Sequence, residues 1–468
     1  MKSSINYSEI LSPLDWAVFI TVLMATICSV IYGNHRGNRE KKGRKNNFID
    51  HLLMGRSLTL PFFVATLVAT WYGGILGVTR IAFEKGIFNF ITQGAFWYIS
   101  YIIFALFLVK KIAPFKAVTL PDLIHKMFGA NSAKLSAVFN FFNVLPIAYA
   151  ISLGLFLQMI LGGELWVMMV LGVSLVVLYS CYGGFRSVVF SDIIQFFVMC
   201  SAVLIVLFLS ITEFGGINFL QEKLPASYFS PVGDVGFATT IVWGFIALST
   251  LVDPNFYQRC FAARSGDTAK IGILLSTIIW VIFDICTTFG AMYAKANIPD
   301  ADASYGYLIY AIQILPPGLR GFFLAGILAT ILSTLDSYLF LAGTTLTFDL
   351  APKKYKNSLV LQRLGVVLVG ILAIIMGVIF EGNIKSVWKT LGSYSAACLL
   401  LPVMYGHIFP NKIKDNQFVF ACILGAIGTT GWRMTTHTGF AQNIDELYIG
   451  IFFTTFGLLS WQAVRTAR

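Results

Sequence analysis

The stretch LPFFVATLVATWYGGILGVTR (residues 60–80) is apolar along most of its length and carries two adjacent glycines at its centre. About 20 apolar residues are enough for a helix to cross the roughly 30 Å hydrocarbon core of a membrane. Glycine weakens a helix by about 1 kcal/mol relative to alanine, so the pair Gly73 and Gly74 predicts an interruption near mid-span. Such an interruption would expose bare backbone carbonyls inside the protein.

Apolar runs of similar length recur along the chain. The protein has 468 residues, of which 57% are hydrophobic and 12% are charged, and its mean hydropathy is +0.78. This composition excludes an ordinary soluble protein and predicts an all-α polytopic membrane protein. We predict thirteen spans, near residues 14–33, 59–79, 88–110, 133–161, 164–182, 187–212, 238–258, 269–293, 320–348, 359–381, 386–409, 416–433 and 446–464.

The seventh run, TTIVWGFIALSTLVDPNFYQR (residues 239–259), contains a second interruption. Pro254 lacks a backbone donor and disfavours a helical conformation at Asp253, which is expected to cap the following half-helix. Transporters often combine two inverted repeats that each contain a broken helix, and these two runs lie five spans apart. We therefore expect one transmembrane domain over residues 1–468, with a first helix and basic loop (1–58), a first repeat (59–212), a second repeat (238–409) and two final helices (410–468).

The net charge of +11 comes from basic residues concentrated in alternate loops, the largest group lying within residues 34–57. This distribution follows the rule that Lys and Arg flank spans on the cytoplasmic side, so it does not indicate nucleic-acid binding. It predicts that the amino terminus lies outside the cell and the carboxyl terminus lies in the cytoplasm. The membrane is expected to be the plasma membrane, which is the inner membrane in a bacterium. Arg259 and Arg264 are expected to contribute to this orientation.

Cysteine and histidine show no spacing typical of metal ligands, and no nucleophile elbow or phosphate-binding loop is present. The sequence therefore argues against an enzyme. One acidic residue within a span, Asp284, leaves two interpretations open. It could join a polar pathway, or its carboxylate could hydrogen-bond to a neighbouring helix.

The ninth run contains ATILSTLDSYLF (residues 329–340), in which an aspartate and four hydroxyls replace hydrocarbon. A mid-span carboxylate costs roughly 2.5–3.5 kcal/mol on insertion scales, so it requires a function or a partner. At 100° per residue the hydroxyls share one helix face, and Asp336 lies on its flank. Such oxygens suit a small hard cation, although single hydroxyls more often bond to their own helix. The four hydroxyls belong to Thr330, Ser333, Thr334 and Ser337.

Two long segments resemble signatures of the sodium:solute symporter family. GFFLAGILATILSTLDSYLFLAGTTLTFDL (residues 321–350) is similar to its ninth-helix signature, and YGGFRSVVFSDIIQFFVM (residues 182–199) is similar to another. The resemblance implies the LeuT-type fold, a 5+5 inverted repeat with broken second and seventh helices. It implies a sodium site made by the carbonyls of Ala69, Tyr72 and Thr330 and the hydroxyls of Ser333 and Thr334. A second sodium, which some members bind, would correspond to Asp192, Asp336 and Ser337.

Within that family, three segments resemble the high-affinity choline transporter branch: VATWYGGILG (68–77), QGAFWY (93–98) and LSTLDS (332–337). That branch surrounds a quaternary ammonium with aromatic faces, and each cation–π contact contributes about 0.5–2 kcal/mol. Two further tryptophans, on the seventh and eleventh runs, are out of register with the branch and would serve equally well as interface anchors. The residues predicted to bind the solute are Trp71, Gly73, Gly74, Tyr98, Trp243 and Trp388.

Together these features predict a sodium-coupled symporter that imports a small organic solute by alternating access, with a choline-like cation as the first candidate. Sodium is the expected coupling ion and the lipid bilayer the expected environment, and the protein is expected to act as a monomer or homodimer. The alternatives are a symporter for an amino acid, sugar or carboxylate, and an uncoupled facilitator or channel. Sodium-dependent accumulation of solute against its gradient distinguishes a symporter from a facilitator.

Overall fold

The structure is a computed structural model that describes residues 10–40, 47–352, 354, 358–438 and 444–466. Across these ranges the chain is predominantly helical, and its strand-like pairing is limited to an isolated bridge between Leu58 and Ala263. Nine helices in this part of the chain are long and apolar enough to cross a membrane. The predicted all-α class is therefore confirmed.

All thirteen predicted spans coincide with helices. Their bounds are Pro13–Glu40, Leu60–Ala69 with Ile75–Lys85, Phe90–Phe115, Ala130–Leu161, Leu165–Cys181, Gly184–Phe214, Gly236–Ala262, Gly266–Asn297, Leu319–Leu350, Leu359–Ile379, Ile384–Ile408, Asp415–Arg433 and Glu446–Thr466. Shorter helices lie in the connections, at Asn47–Leu53, Leu120–Met127, Ile217–Lys223 and Gly306–Ile314.

The ninth span, Leu319–Leu350, occupies the centre of the protein. In its most apolar window 94% of the residues are buried, against 6% in the first span. It packs most extensively against the fifth and sixth spans, which together form the long helical segment Leu165–Phe214. The polar residues of the ninth span are thus enclosed by protein and shielded from lipid.

A bend at Gly184 separates the fifth span from the sixth. The backbone φ there is +64°, in the left-handed region that glycine adopts most readily. A Cβ at this position would also collide with the ring of His51. Glycine therefore allows the chain to turn from one span into the next.

The second span is broken where the sequence predicted. Its first half ends at Ala69, and the helix resumes at Ile75. Thr70 closes the first half, because its hydroxyl and its N–H both donate to the carbonyl of Thr66, at 2.7 and 3.3 Å. The residues between the halves carry no continuous helical hydrogen bonds, so their backbone groups are available to other partners.

The seventh span is broken as well. Its first half, Gly236–Ala247, continues as a tight 3₁₀ turn and ends before Asp253, which has an extended conformation. The second half begins at Pro254, and the Asp253 carboxylate accepts a hydrogen bond of 2.7 Å from the N–H of Asn255. The prediction that Asp253 caps this half-helix is confirmed.

Candidate sodium and solute site

The break in the second span faces the hydroxyls of the ninth. Ala69 is the last residue of its half-helix, and its carbonyl accepts hydrogen bonds from Ser333 at 2.6 Å and Thr334 at 3.4 Å. The same two hydroxyls can also donate to the carbonyl of Thr330, at 3.2 and 3.0 Å. The structure thus brings four of the five predicted sodium ligands into one network.

The fifth predicted ligand, Tyr72, lies on the other side of the break. Its carbonyl accepts a hydrogen bond of 2.9 Å from the N–H of Ile75 and keeps a second lone pair. The next residue, Gly73, lies so close to the ninth span that a Cβ would come within 2.5 Å of the Thr334 Cβ. Tyr72 therefore adjoins the network through its neighbour.

This network is buried and rich in oxygen. Ala69, Thr330, Ser333 and Thr334 are each 0% exposed. Because each hydroxyl has a carbonyl of its own helix within reach, its proton can turn to that carbonyl while the oxygen lone pairs face a cation. Carbonyl and hydroxyl oxygens are the ligands that hard cations prefer, so the arrangement can hold an ion such as sodium.

The three residues predicted to bind a second sodium have separate partners. All three are buried in the membrane-spanning core. The Asp192 carboxylate accepts a hydrogen bond of 2.5 Å, the Ser337 hydroxyl accepts one of 3.1 Å, and Asp336 accepts a short hydrogen bond. The donors are Thr66 for Asp192, Arg259 for Ser337 and Ser180 for Asp336.

Arg259 lies at the centre of this second group, and its side chain is 0% exposed. Its guanidinium donates to Thr66 at 3.2 Å and Ser337 at 3.1 Å, and it also donates to the carboxamide of Asn255. It lies 5.5 Å from the ring of Phe185, within cation–π range. The expectation that Arg259 sets membrane orientation is wrong, because its charge links the second, seventh and ninth spans inside the protein.

A cavity of about 130 Å³ lies beside the break in the second span. Its wall is aromatic and aliphatic, with three neutral polar side chains and one carboxylate. The aromatic residues are Trp71, Tyr72, Trp97, Tyr149, Tyr338 and Trp388, and the polar ones are Gln93, Asn143, Ser249 and Asp253.

Of the residues predicted to bind the solute, two line this cavity and two contact residues of its wall. Trp71 and Trp388 line it, and Trp388 also packs on Gly74, where a Cβ would collide with the indole ring. Gly73 lies between the two candidate sites, because a Cβ there would come within 2.7 Å of the Tyr149 ring on the cavity side. Because Gly73 and Gly74 have no Cβ, the backbone at the break can lie close to the ninth span and to the cavity wall.

The other two predicted residues, Tyr98 and Trp243, do not line the cavity in this conformation. Tyr98 donates a hydrogen bond to the carboxylate of Asp284, which is 1% exposed. Trp243 packs against Trp97, with ring centroids 6.5 Å apart. Of the two interpretations left open for Asp284, hydrogen bonding to a neighbouring helix is the one that the structure shows.

Tyr338 and Tyr149 are two of the cavity-wall residues that sequence reasoning did not identify. The Tyr338 hydroxyl donates to the Asp253 carboxylate at 3.3 Å, and the ring of Tyr338 packs edge-on against Tyr149 at 4.9 Å between centroids. Tyr338 lies one helical turn after Thr334, so the same helix-face argument could have included it. Tyr149 had no comparable signal, because it lies in an apolar run.

At the end of the second span, an ion pair connects that span to the loop before the seventh span. Lys85 ends the second span, and its ammonium lies 2.6 Å from the carboxylate of Asp234, in the loop before the seventh span. The hydrogen bond from Lys85 holds the pKa of Asp234 below its usual range. Both side chains are substantially exposed, so the pair contributes little to stability.

The chain is similar in sequence to proteins of known function. The sequence profile of the sodium:solute symporter family matches residues 51–415. The osmoregulated proline transporter OpuE of Bacillus subtilis is 24% identical over 443 residues, covering 86% of this chain and 87% of that protein. The sodium/glucose cotransporter of Vibrio parahaemolyticus is 24% identical over 67% of this chain and 65% of its own. The sodium/pantothenate symporter of Escherichia coli is 24% identical over 56% of each.

Solved structures share the fold. A Na+-coupled sialic acid symporter in a substrate-bound, outward-open state matches with a TM-score of 0.76 at 16% identity, over 95% of this chain and 97% of that one. Mhp1, a nucleobase-cation-symport-1 family transporter, matches with a TM-score of 0.59 at 11% identity, over 89% and 94%. The similarity confirms the predicted LeuT-type fold, and the curated relatives are transporters rather than enzymes.

Proposed function

This chain belongs to the sodium:solute symporter family and is therefore a sodium-coupled solute symporter of the membrane, and we propose that it imports a choline-like quaternary amine by alternating access. The observation that carries the proposal is the aromatic cavity beside the broken second span. The relatives are named for proline, glucose and pantothenate, so their names do not decide the solute. The chemistry of the cavity wall must do so.

In this proposal, one sodium binds between the break and the ninth span, where Ala69 already contacts Ser333 and Thr334. The ion replaces hydroxyl–carbonyl hydrogen bonds with ion–oxygen contacts, and these contacts link the second span to the ninth. That arrangement favours the outward-open state, which accepts the solute from outside. Since the coupling is reciprocal, bound solute also strengthens the binding of sodium. The proposed ligands are Ala69, Tyr72, Thr330, Ser333 and Thr334.

A second sodium is proposed near Asp192, Asp336 and Ser337. Arg259 lies close enough to Asp192 to interact electrostatically, as does Asp336. With all groups ionised, two carboxylates and one guanidinium leave a net charge of −1, and one sodium ion neutralises it. A buried uncompensated charge is costly, so this balance supports an ion at the second position.

The solute is proposed to contact the rings of Trp71 and Trp388, beside the backbone of Gly73 and Gly74. Aromatic faces attract quaternary ammonium groups and need no hydrogen-bond donor from them. Tyr98 and Trp243 stay predicted contacts of the solute. They would reach it in another conformation, in which their helices have moved. Their present partners are Asp284 and Trp97.

We also propose the arrangement in the membrane. Residues 59–212 and 238–409 act as the inverted repeats, the amino terminus lies outside, and the carboxyl terminus lies in the cytoplasm. The protein acts as a monomer or homodimer. Cytoplasmic and periplasmic reporter domains fused to the carboxyl terminus test the orientation, since only the cytoplasmic reporter should be active.

Transport by the purified protein in proteoliposomes tests the proposed function. With an inward sodium gradient, labelled choline should accumulate above its external concentration, and potassium in place of sodium should abolish the accumulation. Equilibration without accumulation would indicate a facilitator. Betaine, proline, glucose and a small carboxylate form the comparison panel, and sodium-driven accumulation of one of these without choline would overturn the proposed solute.

A further inference from the structure

We propose that Asp253 is the counter-ion for the solute, so that the cavity selects a small monocation over neutral and anionic molecules of the same shape. The inference rests on the proposed function in one respect, namely that this cavity is where the solute binds. It goes further by assigning the charge of the solute to one residue. That residue lies at the break of the seventh span and lines the same cavity as Trp71 and Tyr72 from the break of the second.

The Asp253 carboxylate has hydrogen-bond donors but no paired cation. One oxygen accepts from the N–H of Asn255 at 2.7 Å, and the other accepts from the hydroxyl of Tyr338 at 3.3 Å. Both donors are neutral. Among the described residues, no lysine, arginine or histidine forms an ion pair with Asp253 within 4.0 Å. The guanidinium of Arg259 lies near enough to attract the Asp253 carboxylate, but it donates its hydrogen bonds to Thr66, Ser337 and Asn255.

The cavity wall offers no other charge. Its described residues include no lysine, arginine or histidine, and Asp253 is the single acidic side chain among them. The partly buried carboxylate of Asp253 loses part of its hydration, and an opposite charge at short range restores some of that free energy. The faces of Trp71 and Trp388 add cation–π attraction of about 0.5–2 kcal/mol each. A solute carboxylate would be repelled by Asp253.

The size of the cavity narrows the solute class. A cavity of about 130 Å³ is close to the roughly 150 Å³ cavity that accommodates benzene. The solute should therefore have about six to eight non-hydrogen atoms. Choline falls in this range, and glucose and pantothenate exceed it. Size and charge together favour a small ammonium compound.

A pair of probes with the same shape and different charge tests the proposal. The probes are choline and its uncharged carbon isostere, dimethylbutanol, and the readout is tryptophan fluorescence of the purified protein in sodium. Asp253→Asn removes the charge and keeps the helix cap, because asparagine caps as well as aspartate. We expect choline to bind roughly 10- to 100-fold more weakly to this variant, and dimethylbutanol to bind both proteins equally.

Unchanged choline affinity in Asp253→Asn, or equal affinity of the wild-type protein for both probes, would overturn the proposal. Tyr338→Phe is the matched control, because it removes the neutral donor and leaves the carboxylate, so the preference for choline should persist. If Asp253→Asn is not recovered folded, Asp253→Glu should keep the preference for choline over the isostere, and its loss there counts against the proposal.

Failure of the proposed function has a different signature. Sodium alone, without solute, should raise the melting temperature of the purified protein, and this measurement does not involve Asp253. Absence of sodium stabilisation and of sodium-dependent uptake would overturn the proposed function while leaving the preference for a cation intact. Sodium-driven uptake that makes no distinction between choline and its isostere would overturn only the role of Asp253.

Discussion

Ser333 and Thr334 provide the most direct test of the sodium site. Ser333→Ala or Thr334→Ala removes one oxygen ligand without changing a charge. We expect each substitution to raise the sodium concentration for half-maximal uptake by about tenfold, equivalent to about 1.4 kcal/mol. The measurement is initial uptake rate against sodium concentration in proteoliposomes, with choline saturating.

Thr345→Ala is the matched control for these variants. Thr345 lies on the same span, is also buried, and its hydroxyl bonds to the Leu341 carbonyl of its own helix at 3.1 Å. Its removal should leave the sodium dependence unchanged. Wild-type sodium dependence in both Ser333→Ala and Thr334→Ala would remove these hydroxyls from the site.

Asp336 distinguishes an ion ligand from a structural carboxylate. Asp336→Asn should abolish the second sodium, so that uptake changes from a sigmoidal to a hyperbolic dependence on sodium concentration. Ser180→Ala removes the hydroxyl that bonds to Asp336 and leaves its charge in place. The sigmoidal dependence should therefore survive in Ser180→Ala. Identical behaviour of the two variants would assign Asp336 a structural role.

Some site residues could be predicted from local sequence and others could not. Ser333 and Thr334 lie on one helix face, and that periodicity is visible in the chain. The role of Arg259 could not be predicted in this way, because its partner Thr66 lies 193 residues away. Asp253 could be predicted as a helix cap from Pro254 alone. Its place in the cavity depends on Tyr338, 85 residues further along.

The break in the second span is held between two neighbours, and Gly73 is where the space is smallest. A Cβ there would approach Thr334 at 2.5 Å and Tyr149 at 2.7 Å, so Gly73→Ala must change both contacts. Overpacking of this kind costs about 1–3 kcal/mol. We expect uptake by Gly73→Ala to fall by roughly tenfold or more and to depend less on sodium concentration, while the protein still reaches the membrane.

Gly244→Ala is the matched control for that substitution. Gly244 lies inside the first half of the seventh span, and a Cβ there would meet Phe96 at an ordinary 3.5 Å. Uptake by this variant should stay close to wild type. Equal losses of uptake in Gly73→Ala and Gly244→Ala would mean that added volume anywhere in a broken span is harmful. The break itself would then have no special role.

The two helix breaks were predictable because glycine pairs and proline act on the backbone locally. Which helices lie at the centre of the protein was not predictable from hydropathy. The first span has a mean hydropathy of 2.1 and is 6% buried, and the ninth has 1.7 and is 94% buried. Lipid and protein interior are both apolar, so only the polar face of the ninth span marks its central position.

Charge movement tests the entire transport cycle. Two sodium ions and a monocationic solute would carry about three elementary charges inward per cycle, each gaining roughly 2.3 kcal/mol from a potential of 100 mV. A tenfold sodium gradient adds about 1.4 kcal/mol per sodium ion. We therefore expect a ratio of about three charges per choline, measured as current and labelled uptake in the same proteoliposomes.

The variants predict how that ratio changes. Asp336→Asn should lower it to about two, because one sodium is lost and the solute keeps its charge. A neutral isostere carried by the wild-type protein should also give about two, because both sodium ions remain. A ratio of one for choline in the wild-type protein would mean that the cation crosses without sodium, which is the behaviour of an uncoupled facilitator, and would contradict the coupling proposed at Ser333 and Thr334.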